Sequence, residues 1–420
     1  MISGPARIIA LGALVLCISQ CQLPTFSTTK DSPGTRDDLV KGQEFRADFN
    51  SFNDFVTQVY ATSDPDEKMA LVDSFMTWAQ ITTGIPYLED STCAFFLYRS
   101  PSVSDMAVAG DFNGWDPGNQ NFTRLTGTDL FYRAETFEPT ARLDYKFVLD
   151  GNQWILDPLN PKTCAGGFGP NSELAMPHYV QPPEIEPYDI PHGTVSSLSF
   201  QDAANTTHNI RIYLPPGYTV VSDSFPIAYF HDGGEWLDLA AARNTLDYLI
   251  QYEKIQPIIA VFVNPNDRNQ DYSYDYDYLN MFCDELVPWI EAQYRVTGVP
   301  ESRATLGVSL GGLTSLLFSI QRPDVFGNCG AFSPAIWFGD IMAQYEAATE
   351  INATIYMDSG TYEPSIFNAT QTMAELLDDQ DADYINRIWY EGHSWGAWRA
   401  HLDEALIHFW PAATTGIAPE

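Results

Sequence analysis

The chain has 420 residues, 45% of them hydrophobic and 14% aromatic, which is enough for packed cores and excludes a largely disordered protein. With 21 basic against 55 acidic residues and a net charge of −34, it is a poor partner for nucleic acid or an anionic membrane surface, and it fits a salty or extracytoplasmic setting. No Cys-x-x-Cys pair and no His/Cys cluster points to a metal, and no cofactor is expected.

Arg7 followed by the apolar run Ile8 to Ile18 has the length and order of a secretory signal peptide over residues 1–21, too short for a stable membrane span. Cys21, or less so Cys17, is a candidate lipid-bearing cysteine, although Gln20 and Leu16 stand where such signals prefer a small residue. The expectation is an extracytoplasmic protein, periplasmic or secreted, with a lipid anchor as an open option. Residues 22–42 are rich in Thr, Ser and Asp and read as a tether. Apolar residues then recur at helical spacing (Phe52, Phe55, Val56, Val59; Met69, Val72, Phe75), which predicts a helical hairpin over 43–90 with Asp64 as a cap and Pro65 just inside it.

From Cys93 the pattern changes to short strands about every ten residues, separated by turns such as Asp150-Gly151-Asn152. That spacing predicts a small all-β sandwich over 91–183. The runs Val108 to Trp115 and Tyr145 to Gly151 resemble the immunoglobulin-like sandwich shared by glycogen-binding modules and the N-terminal domain of enterochelin esterases. In its sugar-binding members exposed aromatics stack on glucose, which draws attention to Trp115 and Trp154. The reading preferred here is that Trp115 packs the sandwich edge and Trp154 its core, while the domain frames an active site. Gly167-Phe168-Gly169 reads as a loop returning the chain to the next domain. Cys93 and Cys164 are candidates to pair in an oxidising compartment, whereas Cys283 and Cys329 sit in apolar surroundings as buried thiols.

Residues 184–420 alternate apolar strands with helices, as in Pro226-Phe230, Ile258-Asn264, Ala304-Val308 and Ala353-Asp358. Such alternation predicts a doubly wound, mostly parallel sheet, with the chemistry at the carboxyl ends of its strands. There Gly307-Val308-Ser309-Leu310-Gly311 fits the G-x-S-x-G nucleophile elbow, a strand-to-helix turn that exposes a serine hydroxyl. Of the seven histidines only His393 follows a strand, is flanked by Gly and precedes the last helix, which makes it the candidate base. Two carboxylates compete to orient it: Glu363, on the loop beyond Gly360, and Asp358, which continues a strand and could serve its turn. His401 and His408 read as surface or packing residues. Gly233 and Gly234 after an apolar strand, with Leu310 next to the serine, offer backbone N–H groups for an oxyanion hole.

From about residue 200 onward the chain resembles the esterase D and enterochelin esterase group of α/β hydrolases. The resemblance is carried by His231-Asp232-Gly233, Asn264-Pro265 with Arg268, Arg303 through Gly312, Pro323 through Gly327, and Gly392-His393 with Trp398-Arg399. It implies a serine carboxylic ester hydrolase working through an acyl-enzyme, with Ser309 as nucleophile, His393 as base and Glu363, at the Gly-x-x-Glu position, as acid. Arg268, Trp236 and Trp395 are the candidate substrate contacts, Arg268 being either a clamp or half of a structural ion pair. The substrate expected is a small-molecule ester: a siderophore lactone, a hydroxycinnamoyl ester or an acetyl ester. Where family members often read Gly-Gly-His-Asp, this chain has Glu391-Gly392-His393-Ser394, so different bonding beside the histidine is expected. The alternatives are a non-catalytic carbohydrate-binding protein and an acyltransferase using the same acyl-enzyme.

Overall fold

A computed structural model describes residues 48–119 and 121–412. The leader and tether expected over 1–42 lie outside them. Among the described residues no helix is long and apolar enough to cross a membrane. The first helices are α1 (Phe52–Ala61) and α2 (Pro65–Thr82). The strands that follow are β1 (Tyr87–Leu88), β2 (Cys93–Arg99), β3 (Met106–Gly110), β4 (Thr123–Arg124), β5 (Leu130–Thr136), β6 (Arg142–Leu149), β7 (Gln153–Ile155), β8 (Thr163–Cys164) and β9 (Asn171–Ala175).

The chain divides into two compact units, one running to Arg99 and including Thr123–Phe137, the other holding the remainder. In the first, Ser51 caps α1 by accepting from the Asp54 amide, and Asp64 caps α2 through the Asp66 and Glu67 amides, with Pro65 at its first position. Each cap is worth about 1 kcal/mol. The apolar faces of these helices are aromatic: Phe55 stacks on Phe75 at 4.2 Å and Phe52 on Phe95 of β2 at 4.1 Å. Beneath them lies a four-stranded sheet in the order β1-β2-β5-β4.

The second unit contains two sheets. The smaller is antiparallel, β3-β6-β9-β8 with β7 paired to β6. The strands expected over 91–183 are thus shared between two sheets, one in each unit. The larger sheet is built from β10 (Thr194–Gln201), β11 (Thr207–Leu214), β12 (Ile227–His231), β13 (Ile259–Val263), β14 (Arg303–Val308), β15 (Asn328–Phe332), β16 (Thr354–Gly360) and β17 (Tyr384–Trp389). Its order is β10-β11-β13-β12-β14-β15-β16-β17, antiparallel at β10 and β11 and parallel from β13 onward. This is the α/β-hydrolase arrangement. The inner strands β12 and β13 read as near-continuous apolar runs because both faces are covered. Along β12, Ile227 and Tyr229 pack on one side while Ala228 and Phe230 pack on the other.

The strand order reverses beside β12, so the loops leaving β12 and β14 open a crevice at a topological switch point. His231, at the end of β12, is fully buried with its Nε2 3.0 Å from Thr305 Oγ1. Burial lowers its pKa to about 3, so this imidazole is a neutral core group. Cys93, Cys164, Cys283 and Cys329 are all buried, and Cys164 is a free thiol, so the pairing offered for it with Cys93 is not formed.

Candidate active site

β14 ends at Val308, and the helix Leu310–Gln321 begins two residues later. Ser309 between them has φ 57° and ψ −117°, a conformation costing on the order of 1–3 kcal/mol. Three backbone bonds hold it: the Ser309 amide donates to Phe332 O at 2.9 Å, and its carbonyl accepts from Leu313 N and Ala335 N, both at 3.0 Å. Gly307 is required by close approach, and Gly311 sits in a tight space. A Cβ on Gly307 would stand 2.4 Å from the Gly311 backbone, and one on Gly311 would meet Asp232 Oδ2 at 3.2 Å. The serine hydroxyl therefore projects at the helix N-terminus, where first-turn amides such as that of Leu310 have no intrahelical acceptor.

His393 follows β17, and its Nδ1 lies 2.6 Å from Glu363 Oε2. Paired this way, Nδ1 carries the proton and Nε2 is left as the acceptor. The other Glu363 oxygen accepts from Gly360 N at 2.6 Å and from Ser333 Oγ at 2.5 Å, and Ser333 Oγ in turn accepts from Trp398 Nε1 at 3.0 Å. Gly360 has to be glycine, since a Cβ there would lie 2.0 Å from Glu391 O. Asp358 has a different task. Its Oδ1 accepts from the Ser333 amide at 3.0 Å and its Oδ2 from Tyr356 OH at 3.1 Å, while burial raises its pKa to about 7. Asp358 thus holds Ser333, at φ 41°, in the position from which Ser333 holds Glu363.

The serine that replaces aspartate after the histidine also has partners. Ser394 Oγ caps the helix Trp395–Arg399 by accepting from Ala397 N, and it accepts from Arg142 Nη1 at 3.2 Å. Arg142, the first residue of β6, is fully buried. Its guanidinium lies 2.7 Å from Asp144 Oδ1, and its Nη2 lies 2.7 Å from Glu173 Oε2. Burial works against its charge, and the Asp144 and Glu173 carboxylates outweigh burial, so it stays protonated. The Arg142 amide also donates to Tyr390 O at 3.1 Å. Gly392 presses on Asp111: a Cβ there would lie 2.2 Å from Asp111 Cγ, and burial followed by the neighbouring Asp144 carboxylate raises Asp111 to about 7. His401 is buried too, stacked on Trp389 at 3.8 Å with Glu391 3.3 Å away, a packing role as expected.

Around the β12 loop the outcome is mixed. A Cβ on Gly233 would collide with the Phe262 carbonyl carbon at 2.2 Å, so this glycine serves close approach to β13. The Gly234 amide donates to Asn264 Oδ1 at 2.6 Å, which engages the N–H expected to face an oxyanion. Arg268 grips Asp232 with two bonds of 2.8 Å while its side chain stays 39% exposed, so it is at once an ion-pair partner and part of the cavity wall. Trp236 is not a surface contact. It lies on the inner face of α3 (Gly233–Asp238) with no exposure, wedged against Phe230, Phe332 and Trp395.

Ser309 and His393 line one cavity of about 600 Å³, together with Asp232, Glu235, Arg268 and Trp395. Its opposite wall comes from the five-stranded sheet and its loops: Trp115, Asp144, Lys146, Trp154, Phe168 and Asn171. Trp154 is 45% exposed there, which overturns its expected place in a core; β7 is an edge strand and turns the indole outward. Trp115 is anchored through Nε1 to Asp111 Oδ1 at 3.0 Å. Arg142, Ser333, Lys146 and Phe168 were not anticipated. One signal was available for two of them: Arg142, Asp144 and Lys146 alternate with Leu143, Tyr145 and Phe147, placing a charged stripe on one face of β6.

Residues 202–409 match a family model described as "Putative esterase". YbbA, an uncharacterised protein of Bacillus subtilis, is 29% identical over 161 residues, covering 34% of this chain and 62% of YbbA. The iron(III) enterobactin esterase of Escherichia coli O6:H1 is 25% identical over 273 residues, 61% of this chain and 68% of that protein. Among solved structures, the ferric enterobactin esterase of Salmonella typhimurium superposes with a TM-score of 0.70 at 20% identity, covering 80% of this chain and 98% of the other. The Shigella flexneri enterobactin esterase gives 0.69 at 21% identity, covering 80% and 97%. In fold and strand order the chain is an α/β hydrolase similar to these enterobactin esterases, and its residues 202–409 match the esterase family model.

Proposed function

We propose that this protein hydrolyses a small-molecule carboxylic ester through an acyl-enzyme on Ser309. The observation that carries the reading is the 2.6 Å contact between His393 Nδ1 and Glu363, with His393 and Ser309 on one cavity. His393 Nε2 takes the Ser309 proton as Oγ attacks the carbonyl carbon, and returns it to the departing alkoxide as the carbon–oxygen bond breaks. Water then repeats the cycle: it loses a proton to Nε2, attacks the acyl carbon and releases the carboxylic acid, while Oγ recovers its proton. The Leu310 amide stabilises the oxyanion at the helix N-terminus. Glu363 holds the imidazole tautomer and steadies the imidazolium.

The substrate is a ring-bearing ester. Trp115, Trp154, Phe168 and Trp395 supply flat apolar walls, while Lys146 and Arg268 supply positive charge for polar substituents. This composition suits a siderophore lactone or a hydroxycinnamoyl ester better than a simple acetate, and enterobactin esterases are among the relatives named above. The five-stranded sheet accordingly serves to place the substrate. The apolar leader before Cys21 supports an extracytoplasmic site of action.

Fluorophosphonate labelling tests the reading. The wild-type protein is expected to carry one adduct, at Ser309, and Ser309→Ala to lose both the adduct and p-nitrophenyl acetate turnover by on the order of a thousandfold. Undiminished turnover in the variant overturns it.

A further inference from the structure

Next to the catalytic cavity lies a second one of about 580 Å³, and the two have Trp115 and His393 in common. Ser309 is not among the described residues lining the second cavity; Trp337, Tyr362, Pro364 and Ile366 are. We infer that this second cavity seats the alcohol portion of the ester and takes a bulky, uncharged, ring-bearing alcohol, an inference that rests on the serine-esterase reading.

Reaction geometry comes first. The acyl carbon must bond to Ser309 Oγ, whereas the leaving oxygen must come within hydrogen-bond reach of His393 Nε2 to collect its proton. Whatever is attached to that oxygen then extends past the imidazole. A cavity lined by the imidazole without the serine is where that group arrives.

The walls are the second observation. Two carboxyl groups border the cavity, and both are committed elsewhere. Asp111 accepts from Trp115 Nε1 at 3.0 Å and from Asp144 N at 2.8 Å, and Glu363 accepts from His393, Ser333 and Gly360. Both are buried, so what faces the space is mainly aromatic and aliphatic surface, with Ser365 and the His393 imidazole as the exposed polar groups. The catalytic cavity differs, with Asp144, Lys146, Glu235 and Arg268 in its lining.

Trp337 is the third. Its side chain is 62% exposed, yet its loop is rigidly held. Ala335 N donates to Ser309 O at 3.0 Å, Phe338 N donates to Ala335 O at 3.0 Å, and Tyr274 OH donates to Phe338 O at 3.0 Å. A large indole left in water on a fixed loop, at the lip of a cavity touching the catalytic base, is a preorganised platform for a ring.

The test uses two ester series on the full-length protein. One keeps the acyl group and varies the alcohol from methyl to benzyl to naphthylmethyl, whose alkoxides leave with similar ease; the other keeps methanol and enlarges the acyl group. In the wild type, kcat/KM is expected to rise along the alcohol series. Trp337→Ala should erase that rise by on the order of tenfold, and Trp337→Phe should restore most of it. Because Trp337 is exposed, its replacement removes no core packing. A Trp337→Ala effect confined to the acyl series, or a flat alcohol series in the wild type, overturns the inference. Mass spectrometry for a Ser309 acyl adduct keeps the two failures apart: an adduct with a flat alcohol series sinks only the assignment of the second cavity, and no adduct sinks the serine-esterase reading itself.

Discussion

The serine turn and the histidine loop face the same cavity, but the chain fixes them by opposite means. The serine is fixed mainly by nearby backbone: β14, one strained residue, two glycines without a Cβ and the first turn of a helix lie within Arg303 to Leu313, and two more backbone bonds come from Phe332 and Ala335 at the end of the adjoining strand. The histidine is fixed from a distance. Its loop is gripped by Glu363, thirty residues away, and by Arg142, 252 residues from the Ser394 hydroxyl it holds. The first device needs only backbone geometry. The second needs buried charges that are costly alone and stable only when every partner is present.

Replacing members of each device sharpens this contrast. The largest effect is expected from Glu363→Gln, which removes the acceptor that sets the imidazole tautomer. Turnover should fall by on the order of a thousandfold with KM little changed, while Asp358→Asn, two links further back through Ser333, costs far less. Steady-state kinetics of the two variants would reverse the assignment if Asp358→Asn proved the more damaging.

Next come paired changes on the two sides. Gly307→Ala forces a Cβ to within 2.4 Å of the Gly311 backbone and should displace the serine, lowering kcat by about a hundredfold. Arg142→Met strands Asp144 and Glu173 in the interior and should cost about 3–5 kcal/mol of stability, with kcat reduced and KM retained. Arg142→Lys keeps the charge and should recover much of the stability but less of kcat, because an ammonium cannot bond Asp144, Glu173 and Ser394 in the same fork. Thermal melts alongside kinetics check the pair, and a Lys variant with full wild-type kcat would show that charge alone holds the loop.

The smallest effect is in pH dependence. Asp358 is raised to about 7 by burial against an ordinary value of 3.8, so the folded protein holds this proton more tightly than the unfolded chain. Its contribution is full below about pH 4 and is lost as pH rises toward 7. Asp358→Asn should flatten the fall of melting temperature across that window, and an unaltered slope would assign it to other groups such as Asp111.

This division also explains what could be read from the sequence. The serine turn, the apolar parallel strands, the histidine before the last helix and the Gly-x-x-Glu spacing are local patterns, and residue order is enough to find them. The support of the histidine loop is not local. Arg142 looks like an ordinary strand residue until folding brings Ser394 to it, and nothing near Gly234 announces that Asn264 will take its amide. Trp236 was misread for a related reason. A tryptophan after a glycine pair looks like a cavity wall, yet on a six-residue helix the direction of one side chain is set by what packs beneath, here Phe230 and Phe332.

The stretch matching the family model, residues 202–409, contains every side chain proposed for bond making and breaking. It does not contain Arg142, Glu173 or Asp111, whose contacts brace the loop carrying His393. Excised alone, it would keep Ser309 in a well-formed turn and lose the bracing of the His393 loop. A boundary drawn by homology and a boundary drawn by mechanics are different lines here, and a minimal enzyme would have to be cut along the second.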